Sequence, residues 1–196
     1  MPCIRAPIRR SLPFSGAALL VLFAGCAPAP LEISMSDQRE IKTSETFVRS
    51  RVKVEKPWST GSFQIRTDGV TVDFADSEII GSTADTPPNK YSLVAISVIN
   101  AKNVTIKNAS IRGFRIAISA QYASGLTVEN CDLSNNYRQH LKSTPEKEHT
   151  DDWLWGHEND HSQWVGYGAG IYLSNCDNVT IKNCRARDGQ NGICLV

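Results

Sequence analysis

The stretch Asn103-Val104-Thr105-Ile106-Lys107-Asn108 recurs along the chain as Gly125-Leu126-Thr127-Val128-Glu129-Asn130 and as Asn178-Val179-Thr180-Ile181-Lys182-Asn183. A looser copy is Gly69-Val70-Thr71-Val72-Asp73-Phe74. From Asn108 to Asn130 is 22 residues, and from Asn130 to Asn183 is 53, one such period plus an insertion of 31. Self-similarity at a fixed period of this length is the signature of a stacked-repeat architecture. A second short motif follows the copies, as Ile79-Ile80-Gly81, Ile111-Arg112-Gly113 and Leu133-Ser134-Asn135. A third precedes them, as Val94-Ala95-Ile96-Ser97-Val98, Ile116-Ala117-Ile118, Gly170-Ile171-Tyr172-Leu173 and Gly192-Ile193-Cys194-Leu195.

Each motif alternates apolar with polar or small residues over three to five positions, which is the period of a half-buried strand. Three short strands per 22 residues, broken by Asn and Gly, describe one coil of an all-β, right-handed, three-sheet parallel β-helix. Coils stack at strand spacing, so Val104, Leu126 and Val179 are expected in one interior column and Ile106, Val128 and Ile181 in the next. The solenoid is expected over residues 61–196, with insertions at about 82–91 and 138–167. β-Branched residues at the interior positions exclude a leucine-rich repeat.

Asn108, Asn130 and Asn183 end one strand of each copy, where asparagine adopts unusual backbone angles and passes hydrogen bonds between coils. The pattern resembles the asparagine ladder of the pectate-lyase-like β-helix superfamily, over roughly residues 61–196. The turn role also accounts for Asn103-Val-Thr, Asn108-Ala-Ser and Asn178-Val-Thr, which match the glycosylation sequon. In the strand order of that superfamily, both insertions fall at one corner, after the third strand and before the first. The resemblance implies that loops from this corner wall a groove over the first sheet, where polysaccharide binds. Outward positions of that sheet are expected at Ala95, Ser97, Ala117, Tyr172 and Cys194, a bland floor.

The larger insertion carries His140, Glu146, Glu148, His149, Asp151, Asp152, His157, Glu158, Asp160 and His161, with Trp153, Trp155 and Trp164. Loops this long are commonly functional, and carboxylates serve as acids, bases or Ca²⁺ ligands. The catalytic candidates are therefore Asp151, Asp152, His157, Glu158, Asp160 and His161, together with Arg187 and Asp188 at the same corner. Trp153, Trp155, Trp164 and Tyr172 offer flat faces for stacking on sugar rings, or the tryptophans pin the loop to the solenoid. His157-Glu158-Asn159-Asp160-His161 spells the zinc-protease motif in letters, but Gly156 and Asn-Asp deny it the helix that motif needs. Neither the Ca²⁺-plus-arginine pattern of pectate lyases nor the clustered aspartates of the related hydrolases maps onto the chain residue by residue.

At the N-terminus, Arg5, Arg9 and Arg10 precede an apolar run ending Leu22-Phe23-Ala24-Gly25-Cys26, an export signal too short to span a bilayer permanently. It resembles the bacterial lipobox, in which the cysteine, here Cys26, is lipidated; Phe23 stands where the family usually has leucine. Residues 1–25 are thus read as signal peptide and 26–60 as tether and approach to the fold, with the membrane engaged only through the anchor. A net charge of +1 gives no general attraction for nucleic acid. Cys131 and Cys184 fall in consecutive coils one strand spacing apart, either bonded or stacked as buried thiols. The chain is expected to continue past Val196, because Gly192–Val196 is the first strand of a further coil.

Three functions are compatible with these features. The chain binds acidic or neutral polysaccharide, with or without cleaving it as a lyase or glycoside hydrolase, or it is a non-catalytic binding or structural solenoid. The third is a metal-handling periplasmic β-helix, similar to those assisting nitrous-oxide-reductase maturation.

Overall fold

A computed structural model describes residues 29–56, 59–152 and 165–196. In chain order its strands are β1 (Leu31–Met35), β2 (Arg39–Ile41), β3 (Glu45–Thr46), β4 (Ser50–Val54), β5 (Phe63–Ile65), β6 (Thr71–Ile80) and β7 (Val94–Ile99). They continue as β8 (Thr105–Arg112), β9 (Ile116–Gln121), β10 (Thr127–Glu129), β11 (Ala169–Ser174), β12 (Thr180–Lys182) and β13 (Ile193–Leu195). One sheet runs β2-β5-β7-β9-β11-β13 and the other β1-β4-β6-β8-β10-β12, with β3 also on β6. Strand pairing in both sheets is parallel. A strand that leaves one sheet and returns to it one place further along generates a solenoid.

The register follows the sequence repeat. Thr71, Thr105, Thr127 and Thr180 align across four strands, and so do Val72, Ile106, Val128 and Ile181. The first three of the latter column are fully buried, beside the parallel column of Val104 and Leu126. Second and third strands run on through the asparagine corner in β6 and β8, so two of the three faces share one hydrogen-bonded sheet. The stack also extends back to Leu31: β1 pairs with β4, β2 with β5 and β3 with β6. Parallel coils therefore precede the Gly61 start expected from the repeat. Their motifs are only two to five residues long and carry no Asn-ended copy.

The ladder is continuous. Asn183 Nδ2 donates to Asn130 Oδ1 at 3.3 Å, Asn130 Nδ2 to Asn108 Oδ1 at 3.3 Å, and Asn108 Nδ2 to Asp73 Oδ1 at 2.8 Å. All three asparagines have left-handed φ between 52° and 56°, which asparagine tolerates better than branched residues do. Asp73 terminates the chain of amides as an acceptor. The Asn108 amide and the Ala75 backbone N–H hold its carboxyl below the usual carboxylate range.

Outside, charges alternate across the coils. Arg51 bridges Glu32 at 3.1 Å and Glu78 at 2.7 Å, and Arg112 also bonds Glu78. Burial pushes the Glu78 carboxyl up, but the hydrogen bonds from Arg112 and Arg51 outweigh this and leave it lowered. A depressed folded-state pKa contributes stability above the unfolded value of about 4.3, which is lost as pH falls through the folded value. Thermal unfolding at neutral and acidic pH is the check. The wild-type midpoint should drop more on acidification than that of Glu78→Gln, and equal drops would contradict the pairing.

Candidate functional site

Both insertions emerge where the third strand of one coil turns into the first strand of the next. The first lies between β6 and β7, the second between Asp132 and β11, whose position in the third-strand column is marked by its bridges to Ser110 and Arg185. They meet over a cleft of ≈ 520 Å³, built from residues 87–89 of the first insertion, 138–141 of the second and the Gly189–Gln190 corner. A smaller hollow of ≈ 200 Å³ shares Pro88 and Arg138 with it and reaches Tyr91, Asn135 and Asp188. The corner expected from the repeat register thus carries open space, and a second hollow, of ≈ 580 Å³, is lined by apolar residues of the last described coil, Leu173, Val179 and Ile193 among them.

Local bonding fixes the walls. Pro88 begins a short 3₁₀ turn, Pro88–Lys90, whose N–H-free proline suits a helical first position. The Gln190 backbone N–H donates to Tyr137 O at 2.7 Å, and the Gln139 N–H to Gln190 Oε1 at 3.0 Å, tying the second insertion to the last corner. Beneath them Asn136, 2% exposed, accepts from the Phe114 N–H at 3.0 Å and donates to Ile111 O at 2.9 Å and Leu133 O at 2.8 Å. The Arg115 guanidinium lies 4.8 Å from the Tyr137 ring centroid, a cation–π contact at the same corner.

Arg138 lines both hollows, with no carboxylate partner among the described residues. His140 Nδ1 lies 2.8 Å from Leu141 O. A carbonyl only accepts, so Nδ1 carries the proton. Asn89 adds a side-chain amide to the lining, and Gln190 completes the wall. Arg138, Asn89 and Gln190 were not singled out by the sequence as site candidates, and His140 was named only among the titratable residues of the larger insertion. The signal for the first three was position alone, in segments that the register assigns to one corner.

The expected site residues are distributed differently. Asp188 lines the smaller hollow, while Arg187 is absent from both linings. Asp152 is a structural acceptor: its carboxylate takes the N–H groups of Lys142 at 2.9 and 3.0 Å and of Ser143 at 2.6 Å. Those bonds, the Lys142 backbone first, hold its carboxyl below the usual range. Asp151 lies in the same short turn, Thr150–Asp152. His157, Glu158, Asp160, His161, Trp153, Trp155 and Trp164 lie outside the described residues, as does Cys26. No three His, Cys, Asp or Glu side chains converge as a metal site among the described residues.

Tyr172 and the first-sheet floor are corrections. Tyr172 is fully buried, in a small cluster with Val94, Ile116 and Ala169, against which Val165 and Cys194 pack. Ala95 and Ala117 belong to the main interior core instead of the outer face. Gly170, in line with them, also faces inward, since a Cβ there would meet Leu133 Cβ at 3.4 Å. Two successive residues therefore point inward at the start of each strand, and strict alternation misplaces the residues before them. Further along the same face, Ser97 Oγ and Gln64 Nε2 both donate to Thr60 O, at 2.6 and 2.8 Å. The face is closed: Ser97 and Ser119 are each 4% exposed. At these described positions the first sheet offers no open floor, and an accessible cleft lies at the adjoining corner.

A solenoid of stacked parallel coils with loops gathered at one corner defines the class. The chain belongs to the right-handed β-helix family, whose model, described as a right handed beta helix region, matches residues 41–196. No curated protein and no solved structure matches the chain.

Proposed function

We propose that this chain binds a glycan in the corner cleft between its two insertions. The observation that carries the reading is the cleft itself, whose ≈ 520 Å³ falls in the ligand-sized range of roughly 300–1,000 Å³. Its lining suits a sugar chain. Pro87, Pro88 and Leu141 supply apolar surface for ring C–H faces, and Asn89, Gln139, Gln190 and Arg138 supply hydroxyl-binding amides and a guanidinium. The resemblance of the repeat to pectate-lyase-like solenoids supports the same class of ligand. The cleft offers His140 and the adjoining smaller hollow Asp188 as candidate acid or base groups, so cleavage is read out alongside binding. An export signal and an anchor on Cys26 would present the site outside the cytoplasm.

The test is calorimetric titration of the purified chain with a panel of neutral and acidic oligosaccharides, with the same mixtures assayed for new reducing ends and unsaturated products. Hydrogen bonds to a charged group are worth about 1.5–3 kcal/mol. The double variant Asn89→Ala, Arg138→Ala should therefore weaken binding at least about tenfold, with an unchanged unfolding midpoint. Binding equal to wild type in that variant, or no binding anywhere in the panel, would overturn the proposal.

A further inference from the structure

Two cysteines have no part in the cleft. Cys131 and Cys184 each follow a ladder asparagine, Asn130 and Asn183, whose side chains are joined at 3.3 Å. The backbone holds the two cysteines level: the Arg185 N–H donates to Cys131 O at 2.9 Å, and Asp132 bridges Arg185 in parallel. Adjacent parallel strands place such residues about 4.8 Å apart, inside the roughly 4.4–6.8 Å Cα range of bonded cysteines. Both sulfurs face inward, Cys131 within the main core and Cys184 packed against it. They also lie just past the ends of β10 and β12, at turns where small adjustments are least restricted.

The neighbours leave this pairing without a competitor in its column. The position one coil earlier is Ala109, whose carbonyl accepts from the Asp132 N–H at 2.8 Å. Cys176 sits at a different corner, after β11, with its thiol donating to Ser174 O at 3.4 Å. Cys194 lies in register with Tyr172 in the outer cluster. All four are free thiols in this structure.

We propose that Cys131 and Cys184 are a cross-coil thiol pair that a disulfide oxidant closes, clamping the coil that follows the second insertion onto the coil that precedes it. Cys184, the more exposed of the two, attacks one sulfur of the oxidant as thiolate and releases one thiolate. Cys131 then gives its proton to solvent, attacks the Cys184 sulfur and expels the second. Two protein thiols lose two electrons, and one oxidant disulfide becomes two thiols. Burial pushes the Cys131 thiol up to about 12, with the adjacent Cys184 sulfur adding to the effect, so the second step is slow. The export signal read at the N-terminus leads to compartments where such a bond persists.

The test treats the purified chain with oxidised glutathione, blocks remaining thiols by alkylation and maps the peptides without reduction. The expected product is one peptide pair joined through Cys131 and Cys184, lost in Cys131→Ala and in Cys184→Ala, and closing faster as pH rises. Alkylation of both cysteines after oxidation, a lasting glutathione adduct on Cys184, or linkage to Cys176 or Cys194 would each overturn the proposal.

Discussion

Asn136→Leu should lower the free energy of unfolding by about 3–5 kcal/mol, although leucine has the same number and branching of side-chain heavy atoms as asparagine. The side chain is 2% exposed and its amide serves three backbone groups, the Phe114 N–H and the carbonyls of Ile111 and Leu133. Leucine leaves them without their side-chain partner, and a buried unpaired polar group costs about 1–3 kcal/mol. Denaturant unfolding measures the effect, with Asn89→Ala, a half-buried residue of the Pro88–Lys90 turn, as a control expected within about 0.5 kcal/mol of wild type. A loss below about 1 kcal/mol for Asn136→Leu would show that the clasp contributes little. Because Asn136 lies directly under Tyr137 and Arg138, the variant is also expected to loosen the cleft.

The second large effect belongs at the other end of the core. Phe74 is fully buried, stacked on Phe47 at 4.8 Å between centroids and edge-on to Phe63 at 5.6 Å. Truncating a buried phenylalanine to alanine costs about 3–5 kcal/mol through lost burial and the cavity left behind. Phe74→Ala should show that loss in the same denaturant experiment, whereas Phe74→Leu should recover most of it. Phe47 is only partly buried, with the Arg39 guanidinium 4.8 Å above its ring, so Phe47→Ala should cost less. Equal losses for Phe47→Ala and Phe74→Ala would contradict this ordering.

These two residues also show what the sequence made legible. Register was readable wherever side chains repeat, because a one-residue slip would turn every interior valine and isoleucine outward. The Thr71–Thr105–Thr127–Thr180 alignment and the Asn ladder were both expected from spacing and both are present. Phe74 was placed by its looser copy of the repeat, but its aromatic partner Phe47 lies in a coil with no such copy. Asn136 was invisible for a different reason. In Ser134-Asn135-Asn136 it reads as ordinary turn chemistry, and its partners are backbone groups that no side-chain pattern reports.

The site was less legible than the fold. Acidic residues in the larger insertion looked catalytic by type, yet Asp152 is committed to the backbone of Lys142 and Ser143. Tyr172 looked outward by alternation, and it does lie outside the main core, but it is fully buried in a small cluster of its own. What spacing did convey was the corner. It brought residues 87–89, 138–141 and 189–190 together from widely separated parts of the chain. It did not convey which side chains would face the space, since that depends on loop conformations that no repeat constrains.

The amide ladder has a consequence for how such a molecule can be lengthened. Asn108 and Asn130 each receive the same kind of bond they give, so the lower surface of such a coil has the form of the surface it rests on. A 22-residue unit such as 109–130 could be copied in frame between Asn130 and Cys131, and each junction would meet a familiar neighbour. Asp73 breaks the symmetry at the lower end, accepting from Asn108 without passing an amide on. The molecule grows by repetition above that point, and the loops at its corner are free to diverge without disturbing what lies beneath.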